Sequence, residues 1–495
     1  MSLPEVLQAF HNSLTEITYN PGEEVYEDPR KFELKKLEME MSSGDKLDIG
    51  NLVVDFEYHE SIESSFLRCD FSIFDAVDFN KNLLGGEYID VELVTSAAMK
   101  EEPLKFKMQV FKIGSIIKSE RGQMYILHCV SPEMYVDEMN KVFKGFGPGD
   151  GAVDEDCIPK YICETYLKAK GGDKIKAKNF ENHSKYTFLA CSWKPSDAIH
   201  FLSDKVSRLT ESKGSNKQSG FLFWENRNGF NFRSIDGICQ GHAHRENVYT
   251  YTYVQKSQEG MGTLGRYAIE SIKYPDKANH LSNMRMGTYK TAAIGISLAT
   301  QRDSFVPVSG KKEDAETDTV TATGGSGLSP APGGTVNEPR ILTFGGIFGK
   351  AVTLEEMPPY KIPDFFDIEK TQPTRMKIRC LPGLKNQTST ANPNNGTNPD
   401  IDTMAVAQYA SARYNLFKSI KLDITVPGNT SLTAGALIKI IIPASRNEGE
   451  TVMTDTRFSG MYCIAGLTHS YRKAGFTTKL YLVRDSQPRQ SEKVD

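Results

Sequence analysis

The pair His242 and His244 comes closest to metal-binding chemistry in this sequence. One residue separates the two histidines, so on an extended strand both imidazoles would face the same side, as in some metal hydrolases. However, Gly241 and Arg245 flank the pair, and no second Asp/His cluster of matching pattern lies near it. The sequence therefore favours a pair without a metal ion, and stoichiometric zinc or manganese in the purified protein would contradict this.

Other chemical motifs are incomplete. The glycine-rich stretch 145–151 lacks the Lys-Ser/Thr pair and the G-x-G-x-x-G spacing of phosphate-binding loops, so it is predicted to be an ordinary loop. Cys157 and Cys163 have no second pair at zinc-binding spacing, and no G-x-S-x-G elbow is present. Nothing singles out an acid and base pair among the acidic residues. We predict no catalytic residue, no cofactor-binding residue and no metal site, and a protein that is not an enzyme.

Length and composition indicate a large protein that does not insert into a membrane. A chain of 495 residues is expected to form two to four domains. Its N-terminus lacks the features of a secretory signal, and no apolar run approaches the roughly 20 residues of a membrane helix. A net charge of −4 argues against a dedicated nucleic-acid binder. The eight scattered cysteines are expected to be buried free thiols.

Residues 1–30 are predicted to form an amphipathic helix and a linker. Apolar residues recur at helical spacing between residues 3 and 17. They are Leu3, Val6, Leu7, Phe10, Leu14 and Ile17. This stripe is expected to pack on its own chain or, as the alternative, to reach a neighbouring subunit. The segment 19–30, rich in acidic residues, Pro and Gly, is typical of a linker.

The segment 31–130 has the alternation of apolar and polar residues that is typical of β-strands. Five runs carry it. They are Leu52, Val54, Phe56 and Tyr58; Leu67, Cys69, Phe71 and Ile73; Ile89, Val91 and Leu93; Phe106, Met108 and Val110; and Tyr125, Leu127 and Cys129. We predict a first antiparallel β-barrel here, with one strand face on a core and the other free for solvent or a partner.

A change of period from 2 to 3.6 places a domain boundary near residue 131. Ser131-Pro132-Glu133 has the preferred order for a helix start, and the predicted apolar stripe runs on to Val142 and Phe143. Further helices are predicted over 158–167 and 196–209. Residues 131–215 are therefore assigned to the helical part of a middle domain.

Aromatic strands around Asn228-Gly229 predict a β-hairpin over 221–235. We assign the segment 216–260, with this hairpin, as a contribution to a second barrel. Residues 261–400 are assigned to the continuation of the middle domain. Within it, the segments 311–339 and 386–399 are rich in Gly, Ser, Pro, Asn and Thr and are expected to be exposed, flexible loops.

The last segment, 401–495, is predicted to form a helix, capped by Asp402, and a four-stranded antiparallel meander. Its strands are predicted over 420–426, 437–442, 461–471 and 476–484. The predicted fold class is therefore α+β, mainly β, with two antiparallel β-barrel domains and a mixed α/β middle region. Because comparable all-β domains begin and end the chain, duplication of one barrel is a further hypothesis.

Several stretches resemble the baseplate central hub proteins of contractile-tailed bacteriophages, of which the T-even type is the best known. Those stretches are NLVVDFEYHESIESSFLRCDFSIFDA (51–76), WKPSDAI (193–199), GFLFWENRNGFNFRSID (220–236), VPGNTSLTAG (426–435), SGMYCIAGLTH (459–469) and FTTKLYLVRDS (476–486). The resemblance covers most of the chain, and each motif is structural rather than catalytic. It does not extend to the N-terminal helix or to the two long loops.

The resemblance implies a homotrimeric structural protein of the virion, in the tail baseplate, assembled in the host cytoplasm. Two barrels in each of three subunits would form six similar units, which matches a three-fold spike to a hexameric tube. The implied partners are a spike or tail-lysozyme-type protein on one side, the tail tube protein on the other, and baseplate wedge or other hub proteins. DNA would pass transiently through the lumen. The alternatives are a hub or spike protein of a contractile secretion or injection system, and a tail-tip cell-wall hydrolase.

Overall fold

The structure is a computed structural model that describes residues 30–95, 103–147, 152–153, 155–167, 174–209, 219–240, 248–253, 262–275, 281–282, 285, 291–297, 302–306, 375–381, 406, 410, 413–415, 417–418, 420–443, 455 and 458–485. The predicted helix over 3–17, the histidines at 242 and 244 and the loops 311–339 and 386–399 lie outside these residues. The fold is mainly β, as predicted, and most strand pairs are antiparallel.

The first β unit comprises seven strands. They are β1 (Phe32–Glu40), β2 (Lys46–Asp48), β3 (Val53–Ser61), β4 (Arg68–Asp75), β5 (Tyr88–Thr95), β6 (Leu104–Ser119) and β7 (Gly122–Val130). They pair in the order β3-β4-β7-β6-β5-β1-β2, and every pair is antiparallel. Within the described residues β2 and β3 do not pair with each other, so this path of strands has two ends.

Alternation correctly predicted the inward faces of β4, β5 and β7, where the predicted apolar residues are buried. It was wrong at the start of β3. Val53 is buried there, whereas Leu52 and Val54 are only partly buried. A register irregularity between Val53 and Asp55 shifts the phase by one residue, and Phe56 and Tyr58 then face the core as predicted.

The middle region contains short helices and two small sheets. Its elements are α1 (Pro132–Met139), β8 (Val142–Phe146), α2 (Ile158–Thr165), β9 (Phe188–Trp193), α3 (Pro195–Ser203), β10 (Phe221–Asn226), β11 (Gly229–Ser234) and α4 (Ile235–Gln240). β8 pairs with β9, and β10 pairs with β11, in separate two-stranded sheets. One hydrophobic cluster joins these elements, with Phe146, Ile162, Ile199, Phe221 and Phe232 among its buried members.

Two predicted helices are shorter than expected. The stripe from α1 was wrong at Val142 and Phe143, which belong to β8 because they pair with Trp193 and Cys191 of β9. The helix predicted over 196–209 ends at Ser203. Val206 beyond its end is buried without being helical, so the apolar spacing reflected burial rather than helix continuation.

The second β unit contains the predicted C-terminal strands and three earlier ones. Its strands are β12 (Thr250–Tyr253), β13 (Ala268–Ile269), β14 (Ser271–Lys273), β18 (Ile420–Pro427), β19 (Leu437–Ile441), β20 (Gly460–Arg472) and β21 (Gly475–Arg484). β13 pairs with β12, while β14, one residue later, pairs with β18. The remaining pairs are β12-β19, β19-β20, β20-β21 and β21-β18. A further sheet of β15 (Thr291–Ser297), β16 (Arg302–Val306) and β17 (Arg375–Leu381) is separate from it.

Strand β20 joins the two β units into one continuous sheet. It pairs antiparallel with β3 over seven residue pairs, from Gly466 opposite Ser61 to Arg472 opposite Asp55. The aromatic ring of Tyr471 on β20 stacks on that of Phe56 on β3, with ring centroids 4.7 Å apart. Tyr471 and Phe476 therefore contribute to the core of the first unit, although they belong to strands of the second.

The β10–β11 hairpin turns one residue earlier than predicted. Asn226 is paired with Gly229, so the two loop residues are Arg227 and Asn228. The Asn226 side chain accepts a hydrogen bond from the backbone N–H of Asn228 at 2.9 Å and thereby fixes the turn. The segment 216–260 was predicted to contribute to the second unit. Its strand in that unit is β12, which pairs with β19.

Gly229 has a φ of +109°, and a Cβ atom at this position would lie 2.1 Å from the carbonyl oxygen of Lys174. We expect Gly229→Ala to lower the free energy of unfolding by roughly 2–4 kcal/mol, since it adds backbone strain and a clash with main-chain atoms. Urea unfolding followed by tryptophan fluorescence measures this. The matched control is Gly44→Ala, because Gly44 has a φ of +88° but no atom within 4 Å of the added Cβ. Equal losses in the two variants would contradict the role given to the Lys174 contact.

Among the described residues, no helix combines the length and apolar character needed to cross a membrane.

Candidate functional site

The residues that carry chemistry do not assemble into a reactive centre in the described part of the chain. No group of three or more His, Cys, Asp or Glu side chains there is placed to hold a metal ion. The histidines at 242 and 244 lie outside that part, so their predicted lack of a metal stays a prediction. In the stretch 145–151, Gly145 and Phe146 belong to β8, Gly147 follows that strand, and the remaining residues are not described.

Seven cysteines are free thiols, and all of these except Cys191 are buried: Cys69, Cys129, Cys157, Cys163, Cys191, Cys239 and Cys463. Burial raises the pKa of Cys157 to about 11 and the pKa of Cys163 well above its usual value. A raised pKa disfavours the thiolate, which is the form that binds metals and attacks substrates. The prediction of buried free thiols is confirmed for these residues, and Cys157 and Cys163 are core residues.

Trp193 anchors the start of α3, as predicted. Its ring lies 4.8 Å from that of Phe201 and 6.2 Å from that of Phe188, measured between centroids. Pro195 occupies the first turn of the helix. Asp137 on α1 accepts hydrogen bonds from both the backbone N–H and the hydroxyl of Ser196, at 2.8 and 2.7 Å. The carboxylate thus satisfies backbone donors at the helix start and ties α3 to α1.

A buried carboxyl group, Glu60 on β3, connects three parts of the molecule. Its Oε1 accepts hydrogen bonds from the Tyr58 hydroxyl and from the backbone N–H of Arg227 in the hairpin turn, both at 2.8 Å. Its Oε2 accepts one from the backbone N–H of Ala434 in the second unit, also at 2.8 Å. Trp224 of the hairpin donates to the carbonyl oxygen of Ala434 at 3.2 Å. We call Tyr58, Glu60, Trp224, Arg227 and Ala434 the central joint.

Burial shifts the pKa values of two side chains at and near the central joint. Burial raises the pKa of Glu60 to about 7, although the hydrogen bonds it accepts and the nearby Arg227 act in the opposite direction. Next to it, burial lowers the pKa of His469 to about 3. The imidazole of His469 stacks near the ring of Tyr58, and its Nδ1 lies 2.8 Å from the hydroxyl of Thr478. Near neutral pH, His469 is therefore neutral, whereas Glu60 is close to its midpoint.

A second contact between parts is made by Lys174. Its Nζ lies 2.6 Å from Glu133 on α1 and 2.9 Å from Glu225 on β10. Burial opposes the charge on Lys174, but the two carboxylates outweigh this and raise its pKa. The other oxygen of Glu225 accepts the backbone N–H of Leu67, just before β4, at 3.2 Å. The middle region is therefore tied to the first unit as well.

The third contact is a fully buried ion-pair cluster around Arg413. Its Nε lies 3.0 Å from Asp236 on α4, and its Nη1 lies 2.7 Å from Asp485 after β21. The side chains of all three residues are 0% exposed. Arg413 also donates to the Sγ of Cys239 at 3.6 Å. Since an unpaired buried charge is costly, this cluster fixes the helical segment at Arg413 between the middle region and the second unit.

These three contacts join the two β units and the middle region into one scaffold. An apolar cluster between them contains Ile62 of the first unit, Trp224 and Ile238 of the middle region, and Leu437 and Met461 of the second unit. The charged residues of the three contacts were not predicted from the sequence. Glu60 shares the phase of Phe56 and Tyr58 in β3, which is a detectable signal, but Glu225 and Arg413 have no sequence signal that separates them from surface charges.

The chain is similar to solved structures of tail and secretion proteins. A tail protein from Neisseria meningitidis MC58 is 11% identical, with 91% of this chain and 96% of that chain covered, at a TM-score of 0.44. A 43 kDa tail protein of prophage MuSo2 from Shewanella oneidensis is 11% identical, with 92% and 100% covered, at 0.45. A type VI secretion system component from E. coli, described as structurally similar to T4 tail proteins, is 9% identical, with 93% and 77% covered, at 0.37.

No protein-family model matches the chain, and no curated protein matches its sequence. Likeness at this level does not assign a function, so we base the function on the chain's own residues.

Proposed function

We propose that this protein is the structural hub of a contractile phage tail, a homotrimeric ring that joins the tail tube to the cell-puncturing spike. The observation that carries the proposal is the pairing of β20 with β3, which fixes two mainly antiparallel β units of one chain side by side in a single sheet. A protein that places two similar units at a fixed angle can supply six units from three chains. The motif resemblance to baseplate hub proteins supports the same role.

In this proposal each β unit is a barrel. The second unit supports this interpretation because its strand pairs lead from β12 through β19, β20, β21 and β18 to β14, and β14 is one residue from β13, the other partner of β12. In the first unit, the rings of Phe32 and Tyr471 lie 4.9 Å apart, so the start of β1 lies close to β20, beside β3. The domain boundaries predicted from the sequence are part of the same proposal.

The central joint and the Arg413 cluster give the scaffold the stiffness that such a ring needs. A connector between a tube and a spike has to keep its shape under load, and buried, hydrogen-bonded polar groups specify one arrangement of the parts. The proposed partners are a spike or tail-lysozyme-type protein on one side, the tail tube protein on the other, and baseplate wedge or other hub proteins. The proposed location is the virion baseplate after assembly in the host cytoplasm, and the proposed role is non-enzymatic, without a cofactor.

The mass of the purified protein tests the ring. We expect light scattering to give about three times the chain mass of 55.2 kDa, either alone or after mixing with the spike partner. An obligate ring should bury more than about 2,000 Å² for each pair of subunits. A protein that remains monomeric under both conditions would contradict the proposal.

DNA retention gives a second measurement. A lumen that passes DNA should be neutral or negative, because basic side chains hold phosphates through counterion release. We therefore expect no retention of bare double-stranded DNA on the immobilised protein at physiological salt. Tight retention would contradict a lumen that serves for passage.

A further inference from the structure

An apolar row crosses the outer face of the first β unit. Phe74 on β4 is paired with Met124 on β7, and Met124 is paired with Ile117 on β6. Directly paired residues in antiparallel strands place their side chains on the same face. The three side chains are 41%, 42% and 66% exposed. Val77 and Ile116 are exposed close by. We call these five residues the apolar row.

The other half of the same outer face is charged. Lys36 on β1 pairs with Asp90 on β5, Lys107 on β6 pairs with Glu40 on β1, and Lys105 on β6 pairs with Glu92 on β5. Such a ladder of opposite charges is what a solvent-facing sheet carries. The apolar row is therefore a local exception on this face and not its general character. Contiguous exposed apolar side chains mark a surface that another element covers.

The apolar row lies at an open edge. β5 pairs with β6 over Leu104–Gln109 only, and beyond Val110 the described residues supply β6 with a partner on one side, which is β7. Lys112 on this part of β6 is exposed and pairs in register with His128 on β7, so it lies on the same face as the apolar row. It has no ion-pair partner in the described part of the chain. The surface thus combines apolar contacts with free positive charge.

The described chain begins close to this surface. The carbonyl oxygen of Arg30 accepts the backbone N–H of Phe476 on β21, and Arg472 on the paired strand β20 lies opposite Asp55 on β3. β4 is the next strand, so four spacings of about 4.8 Å place Arg30 roughly 20 Å from Phe74. The residues 18–29 can span about 40 Å when extended. A segment that precedes them reaches the apolar row from Arg30 with length to spare.

We propose that the predicted amphipathic helix over residues 3–17 docks on the apolar row of its own chain. Its stripe of Leu, Val, Phe and Ile residues supplies the apolar surface that the row lacks. At 1.5 Å per residue, such a helix is about 22 Å long, which is enough to cross three strands. The inference does not depend on the proposed ring.

Proximity cross-linking tests the docking. In a Cys191→Ser background, which removes the exposed thiol among the seven cysteines whose burial the structure describes, Phe10→Cys is combined with Ile117→Cys and treated with a short bismaleimide. We expect a cross-linked peptide pair within one chain, found by mass spectrometry on material that runs at monomer mass in a denaturing gel. The matched control combines Phe10→Cys with Glu92→Cys on the charged half of the face and should give at least fivefold less product. No cross-link at Ile117, or one found only between chains, would overturn the proposal, and the second result would make another copy's helix the occupant.

Proteolysis gives an independent readout. Met124→Asp places a charge in the apolar row and, because Met124 is on the surface, should leave the circular dichroism spectrum unchanged. We expect chymotrypsin to cut after Phe10 at least fivefold faster in this variant than in the wild type. Lys105→Asp, on the charged half, should leave the rate unchanged. Equal rates in the wild type and Met124→Asp would overturn docking at this surface.

Discussion

Replacing Arg413 with Met is expected to lower the free energy of unfolding by about 3–5 kcal/mol, because it removes the buried guanidinium that two buried carboxylates contact. Asp236 and Asp485 lie 3.0 and 2.7 Å from the guanidinium, and all three side chains are fully buried. Burial of an unpaired charge costs more than the pair itself contributes. Urea unfolding followed by the fluorescence of Trp193 and Trp224 measures the loss, since both tryptophans belong to the middle region.

Two control variants separate the loss of the Arg413 ion pairs from the loss of the Arg413 side chain. A triple variant that adds Asp236→Asn and Asp485→Asn to Arg413→Met removes all three charges and should recover part of the stability. Lys36→Met, at an exposed pair with Asp90, should have little effect because solvent screens such pairs. If Arg413→Met unfolds at the same urea concentration as the wild type, the cluster does not hold the parts together.

Glu60→Gln should change how stability depends on pH. The pKa of Glu60 in the folded protein is about 7, above the usual value of 4.5, because the carboxyl group is buried. Its contribution to stability is therefore fully present below pH 4.5 and is lost as pH rises through 7. The wild type should lose up to about 3 kcal/mol relative to Glu60→Gln between pH 4.5 and 8, at about 1.4 kcal/mol per pKa unit.

Unfolding measured for both proteins at pH 4.5, 6 and 8 gives this difference. Tyr58 and Arg227, which contact Glu60, and His469, which stacks on Tyr58, are present in both proteins, so their own titration largely cancels. His469 matters most here, since its pKa is lowered to about 3 and its effect on stability has the opposite sign. Glu57→Gln, on the opposite face of β3, controls for the loss of a carboxyl group near the surface. If the difference stays constant over the pH range, burial does not raise the pKa of Glu60.

Strand alternation predicted most of the β structure because those strands have one buried and one exposed face. The runs at Leu67 to Ile73 and Ile420 to Val426 fall on β4 and β18 with the expected faces. Prediction failed where contacts distant in sequence decide the conformation. Val142 and Phe143 fit a helical stripe, yet they form β8 because β9, nearly fifty residues later, offers a partner strand. The irregularity in β3 also has no local signal, since it depends on the register with β4.

The contacts that unite the scaffold were harder to predict than the strands. The motif WKPSDAI indicated an anchored helix, and Trp193 and Pro195 do anchor α3. In contrast, the partners in the three buried polar contacts are separated by up to several hundred residues, as with Glu60 and Ala434. A single sequence does not show which charge meets which. The pairing of β20 with β3 joins the two β units. The alternation of apolar and polar residues in either strand does not predict it.

The antiparallel pairing of β3 and β20 also determines how the molecule would respond to mechanical force. Tension along the two strands in opposite directions loads all seven residue pairs from Gly466–Ser61 to Arg472–Asp55 at the same time, so the bonds have to break together. Tension perpendicular to them opens the pairs one after another and requires far less force. A force along these strands would therefore be resisted by all the backbone hydrogen bonds between them together. A force perpendicular to the strands would separate the first and second β units by breaking these bonds one at a time.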